Sequence, residues 1–353
     1  MKGLILSGGK GTRMRPLTYT AAKQLLPVAN KPVLFYTIEM MLEAGIRDIG
    51  IVVGETKGEI IKAVGNGSRW GIKITYIEQE TPAGLAHAVK VSRHFLGDEP
   101  FVMLLGDNII KAGIKDFVEE FVKVKPDALI LLSPIKNPER FGVAVIENGK
   151  IVRLLEKPFP PPSNLALVGC YIFNKNIFSA CSEIKPSQRG ELEITDAIQW
   201  LIDRGYDVRY HIIKGWWKDT GMADDLLEAN RLILEEIEED IRGEIDDLTK
   251  IMGKVKIGIG SKIINSVLRG PLVIGENCMI ENSYIGPFTS IGNAVYIKET
   301  EIEHSIILDN CKIHLQGRIE DTILGRGVVV RKVDRRPLSY KFIVGDQSII
   351  EVM

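Results

Sequence analysis

The stretch Ser7-Gly8-Gly9-Lys10-Gly11-Thr12-Arg13 holds three glycines within four positions, directly after the apolar run Gly3-Leu4-Ile5-Leu6. Successive backbone N–H groups in such a turn form a nest for anions, and glycine lets a ligand come close to the main chain. Lys10, Arg13, Arg15 and Lys23 surround the loop with positive charge. A plain surface turn would have the same composition, so the chemistry rests on what accompanies it. No Gly-Lys-Ser/Thr closes the loop as a Walker A motif, and the GxGxxG spacing of a dinucleotide fingerprint is missing. The reading that remains is a strand-end loop that grips phosphates.

Two aspartates follow apolar runs. Asp107 stands in Leu105-Gly106-Asp107-Asn108 after Phe101-Val102-Met103-Leu104, and Asp219 in Trp217-Lys218-Asp219-Thr220-Gly221. Hard carboxylate oxygens at strand ends suit Mg2+, which keeps water and substrate phosphates as its other ligands. Either residue alone reads equally well as a turn residue or helix cap. Glu156-Lys157-Pro158 likewise reads locally as the exit from a hairpin, ended by proline.

The ordered set Gly8-Gly9-x-Gly11-Thr12-Arg13-x-Arg15-Pro16-x-Thr18, then Lys23-x-x-x-Pro27-Val28-x-x-Lys31-Pro32, resembles the entry sequence of the sugar-nucleotide pyrophosphorylases. Within that superfamily the chain is similar to the long, thymidylyl-transferring branch that carries a C-terminal extension. The resemblance implies transfer of a nucleotidyl group from dTTP to glucose 1-phosphate, giving dTDP-glucose and pyrophosphate. It also implies Mg2+ on Asp107 and Asp219, which match the LGD and DTG elements of that superfamily. Leu6, Gly8, Gly9, Gly11, Thr12 and Arg13 would border the nucleotide with Asp107, and Lys23 matches a lysine near the triphosphate. Lys157 matches the lysine that holds the sugar phosphate and Glu156 the acid on the sugar hydroxyls. Gly142 (in Phe141-Gly142-Val143, with phenylalanine for the usual tyrosine), Val168, Gly169 and Glu193 match the rest of the sugar site. Arg13, Lys23, Asp107 and Lys157 are the expected catalytic residues.

The base pocket is read from Gln79-x-x-Pro82-x-Gly84. A glutamine amide both donates to and accepts from a pyrimidine edge, and Gly84 would let the backbone approach the base. Thymine and uracil differ there by one methyl, worth about 1–3 kcal/mol, so UTP stays open as a second substrate. Trp216 and Trp217 fit either the pocket wall or the core. The missing dinucleotide fingerprint argues against a dehydrogenase, and the retained Arg13 and aspartates argue against a non-catalytic sensor.

The elements that must position these groups alternate. Apolar runs at 49–53, 72–77, 101–105 and 128–132 read as buried strands, and 32–45, 59–64, 85–95 and 114–124 as helices. The fold expected is α/β: a Rossmann-like, mostly parallel sheet whose strand ends carry the glycine loop and Asp107. Residues 143–146 and 151–155 flank Asn148-Gly149 as a hairpin, the Pro158–Pro162 loop borders the sugar pocket, and 167–173 and 208–213 are further strands. A helix is expected over 192–204, and a long one over 222–241 with an acidic, solvated end.

From residue 251 the texture changes to Ile-Gly pairs and apolar positions six apart, among them Ile274 and Ile280, and Ile307, Ile313 and Ile319. That period marks a parallel β-helix, with register slips after 280 and 292; the resemblance makes it left-handed. The expected division is 1–240 for nucleotidyl transfer and 241–353 for the β-helix. The tail is expected to hold a homo-oligomer, with Leu338–Val344 as a cap or a strap to a neighbour. Acetyl transfer by this domain would need a base, and only His304 and His314 are there.

At 353 residues two domains are the prior, and 45% apolar residues with a net charge of -1 indicate an ordinary globular chain. Nothing in that balance favours nucleic acid as a partner. Cys170, Cys181, Cys278 and Cys311 form no CxxC pair, which disfavours a disulfide framework or zinc site. No apolar stretch reaches 18 residues, so neither a signal peptide nor a membrane partner is expected, and the cytoplasm follows by elimination.

Overall fold

Leu4 and Leu6 of the strand Lys2–Leu6 face one side of a sheet and Ile5 the other, and all three are buried. This alternation sorts the core into two layers, as the two-residue period of a strand requires. Ile5 packs with Leu34, Ile38 and Met41 of helix Val33–Glu43 and with Phe117 and Phe121 of helix Lys115–Val124. Leu4 packs with Val89 of helix Leu85–Val91, Ile177 of helix Ile177–Glu183 and Ile198 of helix Ile194–Asp203. The structure, a computed structural model, describes residues 1–333.

The sheet has a parallel centre. Lys2–Leu6 lies between Phe101–Leu105 and Asp48–Val53, and Lys73–Glu78 adds the parallel edge. Leu165–Phe173 then runs antiparallel to Phe101–Leu105 and links it to Ala128–Pro134 and to the hairpin Gly142–Glu147/Lys150–Glu156. Asn148 and Gly149 both adopt positive φ, as a two-residue turn of opposite hand to the common type demands. The sheet is thus mixed. The helix expected at 85–95 is interrupted at Ser92, whose hydroxyl donates to the Ala88 carbonyl at 2.7 Å and competes with the helix's own bonding. Helix Ile177–Glu183 had no counterpart in the sequence reading.

Contacts divide the chain into two compact units. The first holds Met1–Gly11, Ala21–Leu25 and Val33–Asp219; the second gathers Thr12–Thr20, Leu26–Pro32 and the chain from Thr220 onward. In the second unit, helix Ala223–Leu234 stops well short of the expected 241. Asp240–Ile241 instead pairs in parallel with Lys256–Ile257, so the repeat opens eleven residues before the texture change at 251. The acidic composition favours helix there, but pairing with the next coil wins.

Val267 pairs with Lys250 and Tyr284 with Val267, so a typical coil takes 17 residues. The coils stack into three parallel sheets, the architecture of a left-handed β-helix. Its buried rungs include Ile257, Ile263, Leu268, Ile274, Ile280, Ile285, Ile291 and Ile297, none more than 2% exposed. Their spacing is six, five, six, and the slip after 280 is the five-residue side recurring, not an imperfection. Ile259, the first Ile-Gly isoleucine, is 58% exposed on a turn and is no rung. A column of hydroxyls ties the coils together: Ser266 Oγ accepts from Ser283 N at 3.1 Å and Ser283 Oγ from Thr300 N at 3.2 Å.

Asn230 joins the helix to the coils. It is fully buried; its Oδ1 accepts from Ala29 N at 2.8 Å and Ser290 Oγ at 2.6 Å, and its Nδ2 donates to Phe288 O at 2.9 Å. Asn30 Nδ2 donates to Ile291 O beside it. Asn230→Ala strands three polar groups, the buried Ser290 hydroxyl and the half-buried Ala29 N–H and Phe288 carbonyl, so we expect a loss of about 2–4 kcal/mol. A shift below about 0.5 kcal/mol in urea unfolding, read by far-UV circular dichroism, would show that water replaces these bonds. The Leu338–Val344 segment, expected to cap the stack, lies outside the described residues. Among the described residues no helix is long and apolar enough to cross a membrane.

Candidate active site

The carboxyl ends of Lys2–Leu6 and Phe101–Leu105 lie side by side, with Leu6 opposite Leu105 and Gly106 N donating to Leu6 O at 2.9 Å. The glycine loop leaves one end and Asp107 the other. Asp107 is 7% exposed and accepts a charge-assisted bond from Lys23 Nζ. Lys23 also passes Gly9, where a Cβ would lie 3.4 Å from Lys23 Cε. Gly8, Gly9, Lys23 and Asp107 therefore form one group. Lys10 points elsewhere, to Glu55 at 2.5 Å on the surface, and contributes little. Thr12 and Arg13, both exposed, open the turn Thr12–Met14, which belongs to the second unit.

Asp219 is placed by an element the sequence reading missed. Trp217–Asp219 pairs antiparallel with Asn108–Ile110, with Asp219 opposite Asn108, the residue after Asp107. Strands of three residues carry no periodicity to detect. The donor set is two carboxylates on adjoining backbone, and no group of three or more His, Cys, Asp or Glu side chains converges among the described residues. That fits a hard divalent ion sharing its shell with phosphate and water, and does not fit a closed structural zinc site.

Asn108 extends the group toward Val168 and Gly169. It is 1% exposed, and its Nδ2 donates to Val168 O where Leu165–Phe173 slips register between Leu167 and Tyr171. Gly169 has φ +81°, and a Cβ there would overlap the Asn108 amide, so glycine is required. The Asn108 Oδ1 is buried without a protein partner. Trp217 is half-buried, packs against the core and meets Phe141 edge-on, with ring centroids 5.1 Å apart.

A second cluster collects the other expected sugar-site residues. Glu156 Oε2 accepts from Thr195 Oγ1 at 3.3 Å, and Lys157 Nζ lies 3.9 Å from Glu156 Oε1. A Cβ on Gly142 would lie 2.8 Å from Thr195 Cγ2 and 3.4 Å from Glu156 Oε2, so the missing side chain makes room for this cluster. Glu193 is 4% exposed. Arg189, absent from the sequence reading, bridges Glu156 at 3.2 Å and Glu193 at 3.4 Å. Its signal was an arginine two residues before Glu191-x-Glu193. Burial, then the Glu193 charge, raises the pKa of Glu156, while Lys157, Arg189 and the Thr195 bond pull it back. Two carboxylates held together by cations, with a half-exposed lysine beside them, suit a polyhydroxyl ligand carrying a phosphate.

At the other side of the glycine loop, Gln79 follows the strand Lys73–Glu78 and is 8% exposed. Its Nε2 donates to Gly84 O at 3.2 Å and lies 2.9 Å from His87 Nδ1, while its Oε1 is 3.4 Å from where a Gly8 Cβ would stand. Gly84 has φ +103°, and a Cβ would overlap the Leu192 backbone; its need for glycine is met by protein contact. Pro82 is exposed on the same loop. His304 and His314 pair across coils with Asp321 and Glu299.

Residues 2–236 match the Nucleotidyl transferase family. A glucose-1-phosphate thymidylyltransferase of Streptomyces griseus is 48% identical over the whole chain and 99% of its own length. A low-salt glycan biosynthesis nucleotidyltransferase of Haloferax volcanii is 44% identical across the full length of both. A UDP-glucose pyrophosphorylase solved with UDP-glucose superposes with a TM-score of 0.60 at 27% identity, over 67% of this chain and 99% of its own. The glycine loop at a strand end, the two aspartates beside Asn108 and the Glu156–Arg189–Glu193 cluster agree with these likenesses, and the chain belongs to the nucleotidyl transferase family.

Proposed function

We propose that the protein transfers a thymidylyl group from dTTP to glucose 1-phosphate, giving dTDP-glucose and pyrophosphate. One observation carries this reading: the turn after Phe101–Leu105 joins Lys23, through Asp107, to the Val168–Gly169 strand, through Asn108. A triphosphate and a sugar held at those two places would have their phosphates converge on that turn. The full-length likeness to the Streptomyces griseus protein supports the choice of substrates.

In this reading a phosphate oxygen of glucose 1-phosphate attacks the α-phosphorus of dTTP. The new P–O bond forms as the bond to the β-phosphate bridging oxygen breaks, and the electron pair leaves with pyrophosphate. Gly8, Gly9 and Gly11 offer backbone N–H groups to the triphosphate, and Leu6 and Thr12 border them. Arg13 and Lys23 supply charge. Mg2+ on Asp107 and Asp219 would neutralise the α-phosphate and the leaving group. Lys23, now on Asp107, would be drawn to the phosphates when they arrive. Lys157 holds the sugar phosphate; Glu156 and Glu193, fixed by Arg189, face the sugar hydroxyls with Gly142, Val168 and Gly169. Gln79, Pro82 and Gly84 flank the base.

UTP is the second reading, favoured by the likeness to a UDP-glucose pyrophosphorylase. Steady-state kinetics with dTTP, UTP, dCTP, GTP and ATP against glucose, galactose and mannose 1-phosphates tests both. A highest kcat/KM with any pair but dTTP and glucose 1-phosphate overturns the assignment. We further assign residues 1–240 to the chemistry, and 241–353 to assembly of a homo-oligomer. Four unpaired cysteines, all buried, suit a reducing cytoplasm.

A further inference from the structure

Gln79 approaches the glycine loop with only one kind of hydrogen-bonding atom. Its Nε2 lies 3.2 Å from the Gly84 carbonyl, an oxygen that can only accept, so this end of the amide is the NH2 group. The same nitrogen lies 2.9 Å from His87 Nδ1. The amide nitrogen only donates, so Nδ1 must accept, and the ring proton of neutral His87 resides on Nε2. Both amide hydrogens are thereby consumed. The remaining atom, Oε1, is directed at Gly8, 3.4 Å from where a Cβ would stand.

We propose that His87 is a positioning residue for base selection: by accepting the second hydrogen of Gln79 it holds the amide with its oxygen toward the nucleotide. An oxygen there accepts from a base that carries a ring N–H next to its carbonyl, as thymine and uracil do. It repels cytosine, whose N3 is itself an acceptor. This rests on the reading above, in which Gln79 flanks the base, and adds what sets the sign of its preference. An amide free to turn would present its NH2 group to cytosine N3. His87 removes that freedom. It is anchored on the third residue of helix Leu85–Val91, one turn from the Gly84 carbonyl, and Gly84 itself is pinned by Leu192: Leu192 N donates to Ala83 O at 2.8 Å and Ala86 N to Leu192 O at 3.0 Å. The two acceptors that lock the amide thus come from one rigid corner.

The test compares kcat/KM for dTTP and dCTP, with glucose 1-phosphate saturating, in the wild type, His87→Leu and His87→Asn. Leucine fills the space and offers no acceptor; the asparagine Oδ1 stands close to where Nδ1 was. Losing one neutral hydrogen bond, about 1 kcal/mol, should lower the dTTP/dCTP ratio about fivefold in His87→Leu, mainly through KM for dTTP. His87→Asn should restore the ratio. An unchanged ratio in His87→Leu, or equal loss in both variants, overturns the role and leaves His87 as packing. A wild type that does not prefer dTTP over dCTP would instead overturn the underlying assignment of the base site, and the two failures are told apart by that first measurement.

Discussion

Asp219→Asn should lower kcat by about 100-fold or more while leaving the fold intact, because a neutral amide cannot stabilise the charge that a carboxylate-held ion brings to the transition state. Asp107 is paired with Lys23 at 11% side-chain exposure, so Asp107→Asn also removes the negative charge beside that ammonium, and its effect mixes a changed ion pair with the catalytic loss. Trp217 and Lys218, by contrast, keep the pairing to Ile110 and Ile109 that holds the segment whatever residue stands at 219. Two further measurements separate metal binding from local damage. The Mg2+ concentration for half-maximal rate should rise in Asp219→Asn, and the double variant should lose much less than the product of the single losses, as two carboxylates proposed to serve one ion require. Full wild-type turnover in excess EDTA would sink the idea, as would losses that multiply.

The contrast between what could and could not be read beforehand follows the range of the interactions. The strand–helix alternation through residue 134 was legible because each element carries its own period: Ile5 against Leu4 and Leu6 on a strand, Leu34, Ile38 and Met41 on a helix. The β-helix was legible for the same reason, yet its coil length was not. A period of six was visible locally, while 17 emerges only when strand pairs such as Lys250 with Val267 are known. The helix expected over 222–241 failed where a good local propensity met a better partner at Lys256–Ile257. In the site, Asp107, Asp219, Glu156 and Lys157 could be named from short motifs. Asn108 and Arg189 could not, because each bonds to a residue distant in sequence, Val168 and Glu156; His87 lies only eight residues from Gln79, but no periodicity or motif marks that contact. Asn230 shows the same limit outside the site, since its partners at Ala29, Phe288 and Ser290 come from separate stretches. A chain cut near residue 239 would lose Phe288, Ser290 and Ile291, leaving Asn230 only its bond from Ala29 N and removing the bond of Asn30 to Ile291. Loss of activity in such a fragment is therefore expected from destabilised 26–32, even though every proposed catalytic residue is retained.

Lys157→Ala should raise KM for glucose 1-phosphate at least tenfold and change KM for dTTP far less, because an ammonium on a flexible stem acts as a point charge on one phosphate. The geometry makes the effect one-sided. Lys157 lies in the sugar-type cluster, 3.9 Å from Glu156, with 39% of its side chain still exposed to meet a ligand. Its backbone is fixed by its own N–H, which donates to Phe141 O at 3.0 Å, and by a φ of +44°. That φ adds a control. Lysine and alanine bear the same strain in the left-handed region, about 1 kcal/mol, and glycine does not, so a backbone effect would appear only in Lys157→Gly. Loss of the charge appears equally in both. Lys157→Arg keeps the charge but spreads it over a longer fork, and should recover part of the affinity. Removing Lys157 also takes away a cation that favours ionised Glu156, whose pKa is already raised by burial and by Glu193. The Glu156 pKa should therefore climb further in Lys157→Ala. If ionised Glu156 is what binds the sugar hydroxyls, kcat/KM for glucose 1-phosphate falls on the acid side, and that acid limb should move to higher pH in the variant. Equal rises in both KM values, with an unmoved acid limb, would show that Lys157 does not serve the sugar phosphate in particular.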